Sequence, residues 1–343
     1  MRPPSFWLVR EGRDAAPVLR FLLTPLALLY ARATARRLAQ GRPVALPVPV
    51  VCIGNLTLGG TGKTPLARLV RARLAALTGG EVAIVSRGHG GQLTGPVRVD
   101  PALHSAADVG DEPRMLARDG PVFVGRDRAE AARLAVQAGM TAIVMDDGHQ
   151  NPALLKDLSL VVVDGATGFG NEHVVPAGPL REPVATGLAR ADAVIMMGGT
   201  AEQIEAIELP GLTGPVLRAS LQARPRRFLG PVLAFCGIGR PEKFDDTLRG
   251  LGARIASFIA FPDHHPFTPA DLARIERTAR HFDAAEIVTT EKDHARLPPG
   301  FAASVSVVEV EAVVAAGGAL DRLLQRAVQT CATRLGTPQG SGS

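Results

Sequence analysis

Residues 58–64, Leu-Gly-Gly-Thr-Gly-Lys-Thr, carry the densest chemical signal in the chain. Glycines let backbone N–H groups close around phosphate oxygens, and a helix opening straight after the turn adds positive potential. Gly59, Gly60, Thr61 and Gly62 make the turn, and Pro65 stands at the helix start. Lys63 can reach the outer phosphates of a nucleoside triphosphate, and the Thr64 hydroxyl can ligate Mg²⁺. The strict G-x-x-x-x-G-K-[ST] spacing would put a first glycine at position 57, where this chain has Thr57. Further on, Asp146 and Asp147 close an apolar run, the arrangement in which a strand-end carboxylate holds Mg²⁺. Asp164, at the end of the next apolar run, is a weaker candidate of the same kind. Asp111 and Glu112 open a helical stretch, where acids also complement the helix dipole. His264 and His265 sit in the loop Phe-Pro-Asp-His-His-Pro-Phe, which by itself reads as a loop pair or a surface metal site.

These groups need elements to carry them. Residues 48–53 form an apolar, β-branched run, the mark of a buried parallel strand. Beyond the glycines, Leu66, Leu69, Val70, Leu74 and Leu77 recur at helical spacing. Strands are expected over 81–86, 97–99, 121–124, 141–145, 160–163 and 193–197, with helices between most of them. The Pro/Gly-rich stretch 168–183 reads as a functional loop. After turn-rich sequence over 198–230, a second series places strands at 232–236, 253–260, 286–290 and 304–310. Helices run to 248, over 269–281 and over 317–333. This alternation predicts an α/β fold: a P-loop NTPase-like, mostly parallel sheet domain, a second, smaller α/β domain and an N-terminal interfacial helix. The expected divisions are 1–40 (membrane-associated helical segment), 41–222 (P-loop kinase domain), 223–333 (smaller α/β domain) and 334–343 (disordered tail).

The 343 residues suffice for two domains, and the net charge of +5 suits a phosphate-bearing partner, nucleic acid or anionic membrane. Aromatics make up only 4%, too few to stack single-stranded bases, so no nucleic acid partner is expected. Cys52, Cys236 and Cys331 are far apart and form no metal-binding or disulfide pattern. The apolar run 21–31 is too short to span a bilayer, and the sequence after it resembles a leader cleavage site. A leader would export the nucleotide site away from ATP. A core helix is a second alternative. We read the segment as an interfacial helix, with Arg32, Arg36 and Arg37 facing anionic headgroups and Pro25 as a potential kink.

Taken in order, GNLTLGGTGKTP (54–65), SRGHGG (86–91), VGDEP (109–113), GRDR (125–128), DDGHQ (146–150), VVDG with FGN (162–171), PAGPLREP (176–183), FPDHHPF (261–267) and TTEKD (289–293) resemble the lipid A 4′-kinases, the tetraacyldisaccharide 4′-kinases of Gram-negative bacteria. The resemblance runs from the N-terminal helix to about residue 300. It implies transfer of the ATP γ-phosphoryl group to the 4′-hydroxyl of a lipid A disaccharide 1-phosphate, with ATP and Mg²⁺ as cofactors. It makes Asp111 the catalytic base and His264 its partner. Thr64, Glu112, Asp146 and Asp147 become the metal set, and Arg128, Arg181 and His89 contact phosphate or substrate. It implies a peripheral enzyme on the cytoplasmic face of the inner membrane, touching its lipids, with no obligate protein partner. Two positions depart from the family pattern: His89 stands where Tyr is usual, and Gln150-Asn151 where Gln-His is usual. The competing function is a membrane-associated switch-type P-loop NTPase. Its best feature is Thr290-Glu291-Lys292-Asp293, a loose likeness to a guanine-reading [NT]-K-x-D with the wrong spacing.

Overall fold

The computed structural model describes residues 4–315 and 318–336; of the expected disordered tail, 334–343, residues 337–343 lie outside them, while Arg334 ends the last helix. Its strands, in chain order, are β1 (Val50–Gly54), β2 (Val82–Ser86), β3 (Val97–Arg98), β4 (Val122–Val124), β5 (Ala142–Asp146), β6 (Leu158–Asp164), β7 (Ala193–Met197), β8 (Val216–Ala223), β9 (Val232–Cys236), β10 (Ile255–Ala260), β11 (Glu286–Thr290), β12 (Ser306–Val308) and β13 (Val310–Val314). A nine-stranded sheet runs β13-β8-β7-β6-β1-β5-β2-β4-β3, and a four-stranded sheet runs β10-β9-β11-β12. The small sheet is parallel throughout. In the large sheet only the edge strands β3 and β13 pair antiparallel.

Both faces of the large sheet are covered, so its central strands read as continuous apolar runs. Val51 and Ile53 of β1 face one core with Leu66, Val70 and Leu74 of the helix Lys63–Thr78. Val50 and Cys52 face the other, with Ala129, Ala132 and Ala135 of the helix Arg128–Gln137. β1 lies between β5 and β6, where the strand order reverses. Ligands of open α/β sheets sit beyond the carboxyl ends of the strands at such a switch point. The β1–β5 register pairs Ile53 with Asp146, so the glycine turn and the aspartates leave the sheet at one level.

Three expectations change. The strand predicted over 304–310 is two strands in different sheets, β12 and β13. β13 and the helix Gly318–Arg334, placed by sequence in the smaller domain, belong with the large sheet. β13 completes its edge, and Ala312, Leu320, Leu323, Leu324 and Ala327 enter its core. The N-terminal helix is not a core helix. It runs Pro17–Ala39, straight through Pro25, and buries only Ala27 and Thr34. Phe21 is 78% exposed, Leu22 65% and Leu29 62%. At 23 residues it spans about 35 Å and is long and apolar enough to cross a membrane, which the apolar run counted alone is not. Its approach is clamped to the Pro/Gly-rich loop: Trp7 Nε1 donates to the Pro176 carbonyl at 3.1 Å, and Arg10 pairs with Glu172 at 2.6 Å.

Candidate active site

The glycine turn closes as the sequence dictates, with one departure. Gly59 (φ 123°) and Gly62 (φ 82°) occupy the left-handed region that side chains resist. Gly62 caps the helix that begins at Lys63. Thr57 does not turn. It forms an antiparallel bridge with Leu180, and the Leu58 N–H donates to the Pro179 carbonyl at 2.8 Å. The chain there is extended, so the strict motif's first glycine is not needed. The same contacts bring the Pro/Gly-rich loop, with Arg181, against the phosphate turn. The Thr61 hydroxyl is buried and has no protein partner.

The two aspartates after β5 have opposite fates. Lys63 Nζ lies 3.5 Å from Asp147 Oδ1, and Arg181 Nη1 donates to both Asp147 carboxylate oxygens at 2.9 Å. Burial works to raise the Asp147 carboxyl, but Lys63 and Arg181 outweigh it and hold the group at about 2. Asp146 is 2% exposed, and its Oδ1 has no hydrogen-bond partner. Burial, with the Glu112 charge facing it, pushes Asp146 up to about 7. Arg128, expected near phosphates, is itself buried and donates through Nη2 to the Asp147 carbonyl at 3.0 Å. It braces the turn from behind.

Asp111 opens the helix Asp111–Leu116, and His264 Nδ1 lies 3.2 Å from its Oδ2, bringing the expected pair together across 153 residues of sequence. Burial favours the protonated acid, but the His264 hydrogen bond and the Arg296 and Lys292 charges outweigh it and hold Asp111 below the usual carboxylate range. Arg296 Nε is 3.5 Å from Asp111 Oδ2. Lys292 Nζ sits 3.2 Å from His264 Nε2 and 3.4 Å from Glu112 Oε1. His89 is exposed, but its carbonyl lies so close to Gly110 that a Cβ there would come within 2.5 Å, so its loop abuts the Asp111 helix.

Other expectations resolve structurally. Asp164 is taken by Arg240 of the small sheet side at 2.7 Å and by the N–H groups of Ala166 and Thr167. Asp293 is fully buried and accepts from the Gly237 N–H (2.9 Å), the Thr290 hydroxyl (2.6 Å) and Arg296. It is not free to read a guanine. Glu291 reaches Arg68 of the helix Lys63–Thr78 at 2.6 Å. The Thr-Glu-Lys-Asp stretch therefore fastens the small sheet to the nucleotide side. Arg296 was not anticipated from the sequence; its place three residues beyond that stretch was the available signal.

The donor set fits Mg²⁺. Among the described residues no three His, Cys, Asp or Glu side chains converge into a metal cage. Mg²⁺ needs none, since it keeps several waters and takes one or two carboxylates plus substrate phosphates. An orphaned, buried Asp146 oxygen near Glu112, with Thr64 at the helix start, supplies that. Asp147, also in the expected metal set, is paired here with Lys63 and Arg181.

A parallel sheet that opens a phosphate-binding turn at its switch point, beside an aspartate-ended strand, defines a P-loop phosphotransferase. Comparison with known proteins narrows the class. The family model described as tetraacyldisaccharide-1-P 4′-kinase matches residues 19–329, and the chain belongs to that family. The tetraacyldisaccharide 4′-kinase of Hyphomonas neptunium is 49% identical over 329 residues, covering 94% of this chain and 97% of its own. That of Rhodospirillum centenum is 50% identical over 331 residues, covering 94% and 96%. The crystal structure of LpxK from Aquifex aeolicus in complex with ATP matches with a TM-score of 0.73 at 26% identity, over 90% of this chain and 99% of that one.

Proposed function

We propose that this enzyme transfers the γ-phosphoryl group of ATP to the 4′-hydroxyl of a tetraacyldisaccharide 1-phosphate in lipid A biosynthesis, and that Asp111 is its base. One observation carries the reading. Lys63 and the buried Asp146 follow the neighbouring strands β1 and β5, and the Asp111–His264 pair adjoins them through Glu112, whose charge acts on Asp146. A sugar hydroxyl is a weak nucleophile and needs a positioned carboxylate to take its proton as the bond to phosphorus forms. Asp111 is held ionised for that task, and His264 orients it. Lys63 leaves Asp147 to meet the triphosphate, while Arg181 keeps the Asp147 charge compensated. Thr64, Asp146 and Glu112 would hold Mg²⁺, which would supply positive charge to offset that of the outer phosphates.

The exposed helix Pro17–Ala39 is proposed to rest in the inner membrane, with the nucleotide site on the cytoplasmic, ATP-bearing side. An acylated substrate leaves the bilayer only at a cost of about 0.8 kcal/mol per CH₂, so the cleft must come to the headgroup plane. The test is transfer of label from γ-labelled ATP to the disaccharide 1-phosphate in mixed micelles. Label in the lipid that vanishes with Lys63→Ala supports the reading. Label released only as inorganic phosphate overturns it in favour of a switch-type NTPase.

A further inference from the structure

We propose that Lys292 is a positioning residue that fixes the tautomer of His264, making this histidine an orienting group for Asp111 rather than a proton acceptor. The proposal rests on the reading of Asp111 as base. A lysine ammonium has three donors and no acceptor. At 3.2 Å from Lys292 Nζ, His264 Nε2 must present its lone pair. A neutral imidazole carries one N–H, which then sits on Nδ1 and donates to Asp111 Oδ2 at 3.2 Å.

The geometry is held on both sides. The Lys292 ammonium also faces Glu112 Oε1 at 3.4 Å. The neighbouring Asp293 accepts from the Gly237 N–H, while the Gly237 carbonyl accepts from the His264 N–H (3.1 Å) and from Arg296 Nη2 (3.0 Å). Lysine and histidine are therefore mounted on one rigid scaffold, although 28 residues separate them in sequence. That scaffold also holds His264 in the left-handed region at φ 56°.

The consequence for the reaction follows from proton count. The 4′-oxygen forms its bond to the γ-phosphorus, the bond from that phosphorus to the β–γ bridging oxygen breaks, and ADP leaves with the electron pair. The hydroxyl proton passes to Asp111. His264 Nδ1 already bears a hydrogen and Nε2 is covered by Lys292, so the proton stays on Asp111 until product leaves.

The test is ¹⁵N NMR of histidine-labelled full-length protein, with the His264 ring among the eight histidines identified by its loss in His264→Ala. Wild type is expected to show a protonated Nδ1 and an unprotonated Nε2. Lys292→Met is expected to mix or reverse that pattern. Its kcat should fall about ten- to a hundredfold with KM for ATP nearly unchanged, by analogy with the loss of the partners that orient metal-ligating histidines. Lys292→Arg should restore most of both. A wild-type ring protonated on Nε2 overturns the proposal without recourse to any variant, and so does a Lys292→Met protein with unchanged tautomer and turnover. Full turnover in both Asp111→Asn and His264→Ala would instead sink the base assignment, an outcome separable from the tautomer result.

Discussion

Asp146 and Asp147 are neighbours in sequence with opposed electrostatics, and this sets the pH behaviour of the site. Asp146, pushed to about 7, must lose its proton before it can ligate a cation. The Mg²⁺ concentration giving half-maximal rate should therefore rise as pH falls from 8 to 6; a flat titration would count against Asp146 as ligand. The same shift affects stability. The folded-state value lies above the unfolded one of about 4, so the unfolded chain binds fewer protons between roughly pH 4 and 7. Metal-free stability should decline as pH rises through that window, and Asp146→Asn should remove the decline in urea titrations. For the base, Asp111→Asn should lower kcat by about 10²–10⁴ while ATP affinity stays close to wild type. Loss of ATP affinity with normal turnover at saturation would argue against the role. These residues were legible because each lies in a short local pattern: Gly-Lys-Thr, a strand ending in Asp-Asp, an acid pair at a helix start. Arg296 beside Asp111 and Lys292 beside Glu112 were not, since both depend on pairing across more than 150 residues, about which local sequence says nothing.

At the scale of elements, the buried strands were the most readable. β7, β9 and β11 fall at their expected positions because each is built on a run of apolar or β-branched residues. β8 was lost in turn-rich surroundings. It alternates buried and exposed residues, as suits a strand one place in from the sheet edge, and its pattern is interrupted after Ser220. The helix Glu291–His294 is too short for periodicity to show, and its Thr290 cap and buried Asp293 give it shape. Asp293→Ala should destabilise the protein by about 3–5 kcal/mol in urea unfolding. It would leave Arg296, whose side chain is 6% exposed, without its buried counter-charge, and would orphan the Gly237 N–H. A change below about 1 kcal/mol would show that the fastening is redundant.

For the whole molecule, composition suggested a basic protein with a phosphate-bearing partner, and the exposed N-terminal helix is long and apolar enough to cross a membrane. Phe21 and Leu29 project into solvent, so Phe21→Asp with Leu29→Asp should leave the melting temperature within a degree or two. Burying each such side chain is worth about 1.5–3 kcal/mol. Sedimentation with anionic vesicles should therefore weaken at least tenfold. Undiminished binding would place the membrane contact elsewhere.

The late return of the chain to the large sheet bears on biosynthesis. β8 has no partner on its outer side until β13 pairs with it, and the helix Gly318–Arg334 covers the sheet only after that. A ribosome must therefore release the chain through β13 before that hydrogen-bonding edge is capped, whereas the four-stranded unit can close first. Nascent chains stalled near residue 305 would carry an open strand template and the associated risk of aggregation, which makes β13 and the helix Gly318–Arg334 a guard on the newborn protein as well as part of its core.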